Sequence, residues 1–178
     1  MPSQRITLWG NSGSGKSTLA ELAGAKLGLP VFHLDLIAWE GDWRYRDEPS
    51  FLALQRPWLD RPSWMIEGVG GWQGLIERFR RADLIVHVDT PPGLCEERAK
   101  LRMAEDQLTK NRFMSEGCRY SDVAQRQLEL IRYFESKLRG EIEKTLRTEF
   151  ATTSQIRLDG VKSTDALCQE LADRVRLP

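Results

Sequence analysis

The residues that decide the fold of this chain are Gly10-Asn11-Ser12-Gly13-Ser14-Gly15-Lys16-Ser17. They fill every fixed position of the pattern G-x-x-x-x-G-K-[ST], in which main-chain amides cradle the phosphates of a nucleotide. Residues 6–9 before the pattern are apolar enough for a short buried strand, and residues 16–27 carry apolar side chains at helical spacing. The pattern therefore lies on a strand, turn and helix, as this chemistry requires, and it predicts binding of a nucleoside triphosphate.

Each part of this loop has a defined task in phosphate binding. Its glycines let the backbone bring several N–H groups together at the positive end of the following helix. Lys16 is expected to reach the β- and γ-phosphates and the Ser17 hydroxyl to ligate Mg²⁺, with Thr18 as the weaker candidate for that hydroxyl. The predicted nucleotide contacts are Gly10, Asn11, Ser12, Gly13, Ser14, Gly15, Lys16, Ser17 and Thr18.

Length and composition favour one ordinary α/β domain, and we expect a single domain over 1–178. Lys plus Arg and Asp plus Glu number 26 each, so no overall field draws the protein to nucleic acid or to an anionic membrane. The absence of a signal peptide and of a long apolar span predicts a cytoplasmic protein. Three widely spaced cysteines are expected to be reduced structural thiols rather than disulfides or zinc ligands: Cys95, Cys118 and Cys168.

Apolar runs alternate with helical patterns along the whole chain. The runs predict strands at 6–9, 31–34, 64–66, 84–88 and 155–158. Helical patterns occur at 16–27, 51–60, 72–81, 90–103, 128–146 and 163–176, whereas 104–120 lack a clean period and are interpreted as a loop. This alternation predicts an α/β fold with a five-stranded parallel sheet covered by helices on both faces.

Three carboxylates follow strands, at the edge of a parallel sheet where ligands bind. Asp35 could accept a proton from an acceptor hydroxyl or hold Mg²⁺ through water. Glu67 is a second candidate for the metal, and Asp89, after the most apolar strand, fits the same description. The residue pattern leaves the metal ligand open among these three, and His33 is a further candidate for the site.

Arg98 and Arg102 lie one helical turn apart at the start of a basic region. Residues 98–147 contain twelve basic and eight acidic residues. The spacing of the two arginines puts both guanidinium groups on one helix face, where they could clamp a transferring phosphoryl group or stack on adenine. Three tryptophans near the expected acceptor side either stack on a base or fill gaps between helix and sheet: Trp39, Trp43 and Trp72.

Five features of the chain occur together in one bacterial family. They are the loop at 10–17, His33-Leu34-Asp35 with Trp39 and Trp43 after it, Glu67-Gly68, the pair of Arg98 and Arg102, and Ser115-Glu116-Gly117-Cys118 before a long helix. On these features the chain resembles, over about residues 6–146, the topology modulation proteins, which are similar to adenylate kinases. The resemblance implies a three-layer α-β-α P-loop NTPase fold of the nucleotide and shikimate kinase type.

The resemblance also implies roles for further residues. Arg98 and Arg102 would match the arginines that enter the adenylate-kinase lid, here a basic segment at about 103–120. A helical segment at about 39–60 would lie on the acceptor side. The turn Asp159-Gly160-Val161-Lys162 would match the loop beside the adenine, which makes Gly160 and Lys162 nucleotide contacts. The chain departs from the family at Glu67, where many relatives have Asp, and at Val69-Gly70, where they tend to have Asn-Tyr.

The sequence therefore predicts an enzyme that transfers the γ-phosphoryl group of MgATP to a small acceptor, with a nucleotide or nucleoside as the first choice. Lys16 and the loop amides would stabilise developing charge, Ser17 with Asp35 or Glu67 would hold Mg²⁺, and Arg98 with Arg102 would close over the phosphates. ATP and the acceptor are the expected partners; a membrane is not expected, and the oligomeric state is left open.

The alternative is a nucleotide-gated regulator of DNA topology that binds DNA or a protein partner. Its only support in the sequence is the basic stretch after Arg98, which is modest beside that of dedicated DNA-binding proteins. A GTPase is disfavoured because no base-reading tetrad of the N-K-x-D type occurs, and residues 109–112 lack the acid.

Overall fold

The computed structural model describes residues 4–106 and 112–176, so residues 107–111 of the expected lid lie outside the described residues. The elements in chain order are β1 (Arg5–Trp9), α1 (Lys16–Leu27), β2 (Val31–His33), α2 (Asp35–Ala38), β3 (Trp39–Glu40), β4 (Arg44–Tyr45), α3 (Glu48–Leu59), β5 (Trp64–Glu67), α4 (Trp72–Arg81), β6 (Leu84–Asp89), α5 (Pro92–Asp106), α6 (Ala124–Tyr133), α7 (Arg139–Glu149), β7 (Ser154–Asp159) and α8 (Thr164–Arg176).

Five strands form one parallel sheet in the order β2-β5-β1-β6-β7, as the sequence predicts. β1 lies at the centre, where Thr7 is opposite Ile66 of β5 on one side and Ile85 of β6 on the other. The carboxyl ends of β2, β5 and β1 lie side by side, because Glu67 is opposite both His33 and Leu8. Residues that follow these three strands are therefore brought to one edge of the sheet.

Helices cover both faces of the sheet and make it the middle of three layers. The core on one face combines strand residues with α1 and α8, and its fully buried members include Ile6, Leu8, Val86, Leu19 and Leu171. The core on the other face combines strand residues with α3, α4, residues 134–138 and α7, and its members include Trp9, Ile66, Phe79, Phe134 and Ile142. Adjacent residues of β1, such as Leu8 and Trp9, thus serve opposite cores.

The acceptor-side segment differs from the predicted helix over residues 39–45. Here β3 and β4 pair as a short antiparallel hairpin, with the Trp39 ring edge-on to Tyr45 at 5.0 Å between centroids. The connecting turn holds Asp42 and Trp43 at φ of 62° and 56°, which a helix does not allow. Helix α3 follows and begins at Glu48 rather than 51, because the Asp47 side chain accepts a hydrogen bond from Ser50 N at 3.0 Å.

The predicted long helix is interrupted in its middle. A π-helical segment, Phe134–Leu138, joins α6 to α7, and the side-chain amide of Asn11 donates to the main-chain oxygen of Ile131 at 3.0 Å just before it. A wider turn of this kind marks many functional sites. α5 also runs to Asp106, beyond the predicted end at 103. No helix within 4–106 and 112–176 is both long and apolar enough to cross a membrane.

Candidate active site

The loop from Gly10 to Gly15 is pressed against the strand and helix beside it. A Cβ atom at Gly13, where φ is +81°, would overlap the main-chain oxygen of Cys95 on α5. On the same side, the Thr90 hydroxyl donates to the Ser14 oxygen at 3.1 Å. The backbone conformation of the loop is therefore fixed by its close packing. Thr90, which follows β6, contributes to this, although no motif in the sequence marks that residue.

Several hydrogen-bond donors are available to an anion at this loop. α1 begins at Lys16 after Gly15, without a side-chain cap, so the N–H groups of its first turn can donate hydrogen bonds to a ligand. The Lys16 ammonium donates to the main-chain oxygen of Asn11 at 3.2 Å, inside the loop. The buried Ser14 hydroxyl has no hydrogen-bond partner among the described residues. This arrangement is a concave site that suits phosphate oxygens.

Arg98 joins the loop to the turn after β7. Its guanidinium donates to the Ser14 oxygen at 3.4 Å and to the Gly160 oxygen at 3.1 Å. Gly160 itself lies against Thr90, where any side chain would overlap the threonine hydroxyl. The structure thus brings Arg98 and Gly160 to the phosphate loop. Lys162 is not brought there, because its ammonium pairs with Glu170 of α8 at 2.8 Å on the exposed surface.

Glu67 contacts the Ser17 hydroxyl, the expected metal ligand of the loop. It is buried, His33 Nδ1 lies 2.9 Å from its Oε1 atom, and the Ser17 hydroxyl lies beside it. Burial acts to raise the pKa of Glu67, but the His33 hydrogen bond and the Lys16 charge outweigh it and hold the pKa below its ordinary value. The second ring nitrogen of His33 meets Glu21 at 2.7 Å, which fixes the orientation of the imidazole.

The side-chain oxygens of Ser17 and Glu67 fit Mg²⁺ in type and in number. In the described part of the chain, no group of three or more His, Cys, Asp and Glu side chains is placed to hold a metal ion. Mg²⁺ prefers oxygen and commonly takes only one or two protein ligands, with water and phosphate oxygens for the rest. A hydroxyl from Ser17 beside a charged carboxylate from Glu67 matches that requirement.

Asp35 and Asp89 have opposite surroundings. Burial and the negative charge of Glu67 raise the pKa of Asp35, although Lys16 and Arg102 act against the shift. Asp89 instead pairs with Arg139 at 3.1 Å and with Arg157, and it lines neither cavity at the phosphate loop. Glu67 also lines neither cavity, but it contacts Ser17 and its charge acts on Asp35. Of the three carboxylates predicted from strand ends, the structure therefore brings Asp35 and Glu67 together at the loop and leaves Asp89 outside.

Two cavities meet at the phosphate loop. The smaller, about 290 Å³, lies over the loop and is also lined by Thr18, Arg98, Glu105 and Phe113. The larger, about 460 Å³, extends along α6 toward the β3–β4 hairpin. Four side chains line both cavities and so stand at their junction: Lys16, Ser17, Asp35 and Arg102.

The larger cavity has aromatic walls. They come from the hairpin and from the region of the π segment, and comprise Trp39, Trp43, Tyr45, Tyr133 and Phe134. The Arg126 guanidinium lies over the Trp39 ring, 5.6 Å from its centroid, and also lines the cavity. Trp39 and Trp43 thus serve both as cavity wall and as packing, whereas Trp72 is exposed and lines neither cavity. Tyr45, Tyr133 and Arg126 are additions that no local pattern in the sequence identifies.

Comparison with known proteins supports the fold. The chain matches no protein-family model and no curated protein. A sugar kinase from Janibacter sp. superimposes with a TM-score of 0.61, at 17% identity over 98% of this chain and 95% of its own. A shikimate kinase from Bacteroides thetaiotaomicron gives 0.53, at 18% identity over 98% and 99%. A deoxyadenosine kinase from M. mycoides with bound dATP gives 0.56, at 10% identity over 98% and 100%. The predicted three-layer P-loop NTPase fold is confirmed.

Proposed function

We propose that this protein is a phosphotransferase that moves the γ-phosphoryl group of ATP, with Mg²⁺, to a small acceptor. The observation that carries the proposal is the junction of the two cavities, where Lys16, Ser17, Asp35 and Arg102 stand. A donor on one side and an acceptor on the other would meet at these residues. Kinase neighbours with the same fold support the same class of reaction.

On the donor side, the chain supplies positive charge and fixed donors. The Lys16 ammonium would leave the Asn11 oxygen, 3.2 Å away, for the β- and γ-phosphates. Arg98, held by Ser14 and Gly160, would stand over the same phosphates, and Arg102 would face the group in transfer. Ser17 and Glu67 would hold Mg²⁺, which supplies positive charge to the phosphate oxygens when it is bound.

The two carboxylates would divide the remaining work. Glu67, whose pKa is held low, stays ionised as a metal ligand requires, and Asp35, whose pKa is raised, suits a general base. Asp35 would take the proton of the acceptor hydroxyl while that oxygen bonds to the γ-phosphorus. The bond from phosphorus to the β–γ bridging oxygen breaks, and ADP leaves. A phosphate acceptor needs no base, and Asp35 would then serve only to hold Mg²⁺ through water.

We propose a nucleoside or nucleotide as the acceptor. The larger cavity is wide enough for one, and its tyrosine and tryptophan walls suit a flat base. The same proposal includes membership of the topology modulation proteins, a single domain over 1–178 and a cytoplasmic location. It also assigns an acceptor role to 39–60, a lid role to 103–120 and an adenine-side position to Lys162.

The regulator of DNA topology is the weaker candidate. Two arginines of the basic region that would favour it are engaged with acids: Arg132 pairs with Glu96 at 2.8 Å, and Arg139 with Asp89, Glu135 and Glu143. Paired side chains contribute little to the field that attracts a phosphate backbone.

The test is acceptor-dependent release of ADP. The protein is incubated with MgATP and panels of nucleosides, nucleoside monophosphates, sugars and sugar acids, beside an acceptor-free control and a DNA arm. We expect one panel to accelerate ADP release and to yield the phosphorylated acceptor by mass spectrometry. ATP turnover that responds only to DNA, or no binding of MgATP, would overturn the proposal.

A further inference from the structure

The loop between β5 and α4, residues 68–71, is held from behind by a buried arginine. Arg78 of α4 is fully buried, and its Nη2 atom donates to the main-chain oxygens of Gly68 at 3.0 Å and Val69 at 2.6 Å. Its Nη1 atom donates to the side chain of Gln55 at 2.7 Å. Two successive carbonyl groups of the loop therefore point at one guanidinium.

The amides of the same two peptide units must point the other way. In a planar trans peptide, the N–H group is antiparallel to the C=O group, and the described residues contain no cis peptide bond. The N–H groups of Val69 and Gly70 are thus directed away from Arg78. The loop lines the larger cavity and Arg78 does not, so the two amides face that cavity.

Neither amide donates a hydrogen bond to a group among the described residues. The hydrogen bonds of the described residues include none from Val69 N or Gly70 N, whereas the preceding amide, Gly68 N, donates to Leu8 at 3.1 Å. Gly70 has φ of +65°, a conformation that lets successive N–H groups converge on one anion. The first turn of α4 is a separate place, because Glu48 already accepts from Gln73 N there at 3.1 Å.

The charge behind the loop is only partly compensated, by the more distant Glu67 carboxylate and Tyr45. No carboxylate within 4–106 and 112–176 forms an ion pair with Arg78, and its Nε atom is buried without a partner. Burial lowers the pKa of Arg78 to about 9 although Tyr45 and Glu67 act to raise it, because a cation is costly to keep away from water. A negative group on the cavity side of the loop would offset that cost.

We propose that the main-chain amides of Val69 and Gly70, with the Arg78 guanidinium behind them, bind an anionic group of the acceptor, a carboxylate or a phosphate. The inference rests on the proposed function and adds a chemical requirement to it: the acceptor carries a negative group beside the hydroxyl or phosphate that receives the phosphoryl group. Arg78 is a positioning residue here, since it acts through the two peptide units and does not line the cavity.

The first test compares matched acceptors in the ADP-release assay. One pair is a nucleoside and its 5′-monophosphate, and the other is an aldose and the corresponding aldonate; the two pairs separate phosphate from carboxylate. We expect kcat/KM to be about tenfold or more higher for the anionic member of the pair that is used, as for a charge-assisted hydrogen bond. Turnover of the neutral member at an equal or higher kcat/KM would overturn this inference and leave the phosphotransferase standing.

The second test reads the site directly and does not need turnover. With ¹⁵N-labelled protein saturated with MgADP, inorganic phosphate and, separately, acetate are titrated while the amide resonances of Val69 and Gly70 are followed. Both resonances are expected to move downfield in at least one titration. Amides that stay still with both anions would overturn the inference, even if the phosphotransferase is established.

Matched variants complete the design. Arg78→Lys keeps the positive charge but loses the planar guanidinium, which reaches Gln55 from one nitrogen and the two carbonyl groups from another. Arg80→Lys makes the same change at an exposed position of α4. We expect Arg78→Lys to raise the acceptor KM about tenfold with little change in the KM for MgATP, as for the loss of one charge-assisted contact. Equal effects of the two variants, or a loss confined to MgATP, would contradict the positioning role.

Discussion

The two sides of the site are built in contrasting ways. The proposed nucleotide side is centred on one contiguous stretch, residues 10–18, and contacts from Thr90 and Arg98 to Ser14 hold it in place. The acceptor side is assembled from the β3–β4 hairpin, the loop at 68–71, Met114 and the α6–α7 region, which are far apart in the chain. The proposed phosphate-binding site is therefore formed by residues that are contiguous in the sequence. The proposed acceptor site forms only when distant segments pack together, so its specificity depends on the whole fold.

This contrast has a consequence for mutation. A local loop depends on individual atoms, so one substitution should remove function and leave the fold intact. An assembled wall shares its contacts among many side chains, so one substitution should change affinity in a graded way. The following four variants test that contrast at successively smaller effects.

Lys16→Ala should give the largest effect. The variant removes the one ammonium group inside the phosphate loop, so we expect turnover to fall on the order of 1,000-fold, as for loss of a transition-state charge partner. The thermal unfolding midpoint should be unchanged. Lys26→Ala on the same helix, whose ammonium bonds to Gln169, is the control and should retain full activity. Unaltered turnover in the Lys16 variant would refute the assignment of the loop.

Glu67→Gln should be next in size. The change keeps the shape of the side chain but removes the charge beside Ser17, so kcat should fall about 100-fold and more Mg²⁺ should be needed for half-maximal rate. Rates measured against free Mg²⁺ concentration check this. Glu21→Gln changes the other carboxylate that His33 contacts, and it should leave the Mg²⁺ dependence alone. Identical behaviour of the two variants would argue against a metal role for Glu67.

Tyr133→Ala probes the assembled wall. This side chain is more than half exposed yet lines the larger cavity, so its loss should cost little stability but remove a stacking surface. We expect the acceptor KM to rise about tenfold, the value of one base-stacking contact, while the KM for MgATP stays constant. Trp72→Ala removes an exposed aromatic that lines neither cavity and should be silent. A change in the KM for MgATP alone would contradict the assignment of Tyr133 to the acceptor cavity.

Lys162→Ala should give the smallest effect. The family resemblance makes this lysine a nucleotide contact, whereas the structure places it in an exposed ion pair with Glu170. Such pairs contribute little, so the affinity for MgATP measured by calorimetry should change less than about twofold. Glu170→Ala is the matched variant and should behave alike. A tenfold weaker MgATP complex in the lysine variant alone would restore the adenine-side role.

Features with a local cause were predictable from the sequence. The buried strands β1, β5 and β6 are continuous apolar runs, and the phosphate loop is a contiguous pattern, so the parallel sheet and the nucleotide loop follow from short stretches. The start of α3 was missed because it depends on a cap from Asp47, and the hairpin at 39–45 was missed because it depends on one turn and one aromatic pair. The π segment has no signature of its own in the sequence.

The acceptor side could not be predicted because its members share no local pattern. Tyr45, Arg126 and Tyr133 reach one cavity only through the hairpin and the region of α6. Strand-end carboxylates were proposed as a set, but the choice among them needed their neighbours: Asp89 faces two arginines, and Glu67 faces His33 and Ser17. Arg78 is one of three arginines in α4, and only its burial distinguishes it from the other two.

Position 11 counts as a free choice in the pattern that defines phosphate loops. Its occupant in this chain is specified from outside the motif, since the Asn11 amide meets the Ile131 oxygen across a separation of 120 residues. A phosphate loop taken from another protein would satisfy every fixed position of the pattern and still lose this contact between the loop and α6. Loops that share only the fixed positions are thus not interchangeable, because a variable position can specify the contact between the loop and a distant helix, as Asn11 does here.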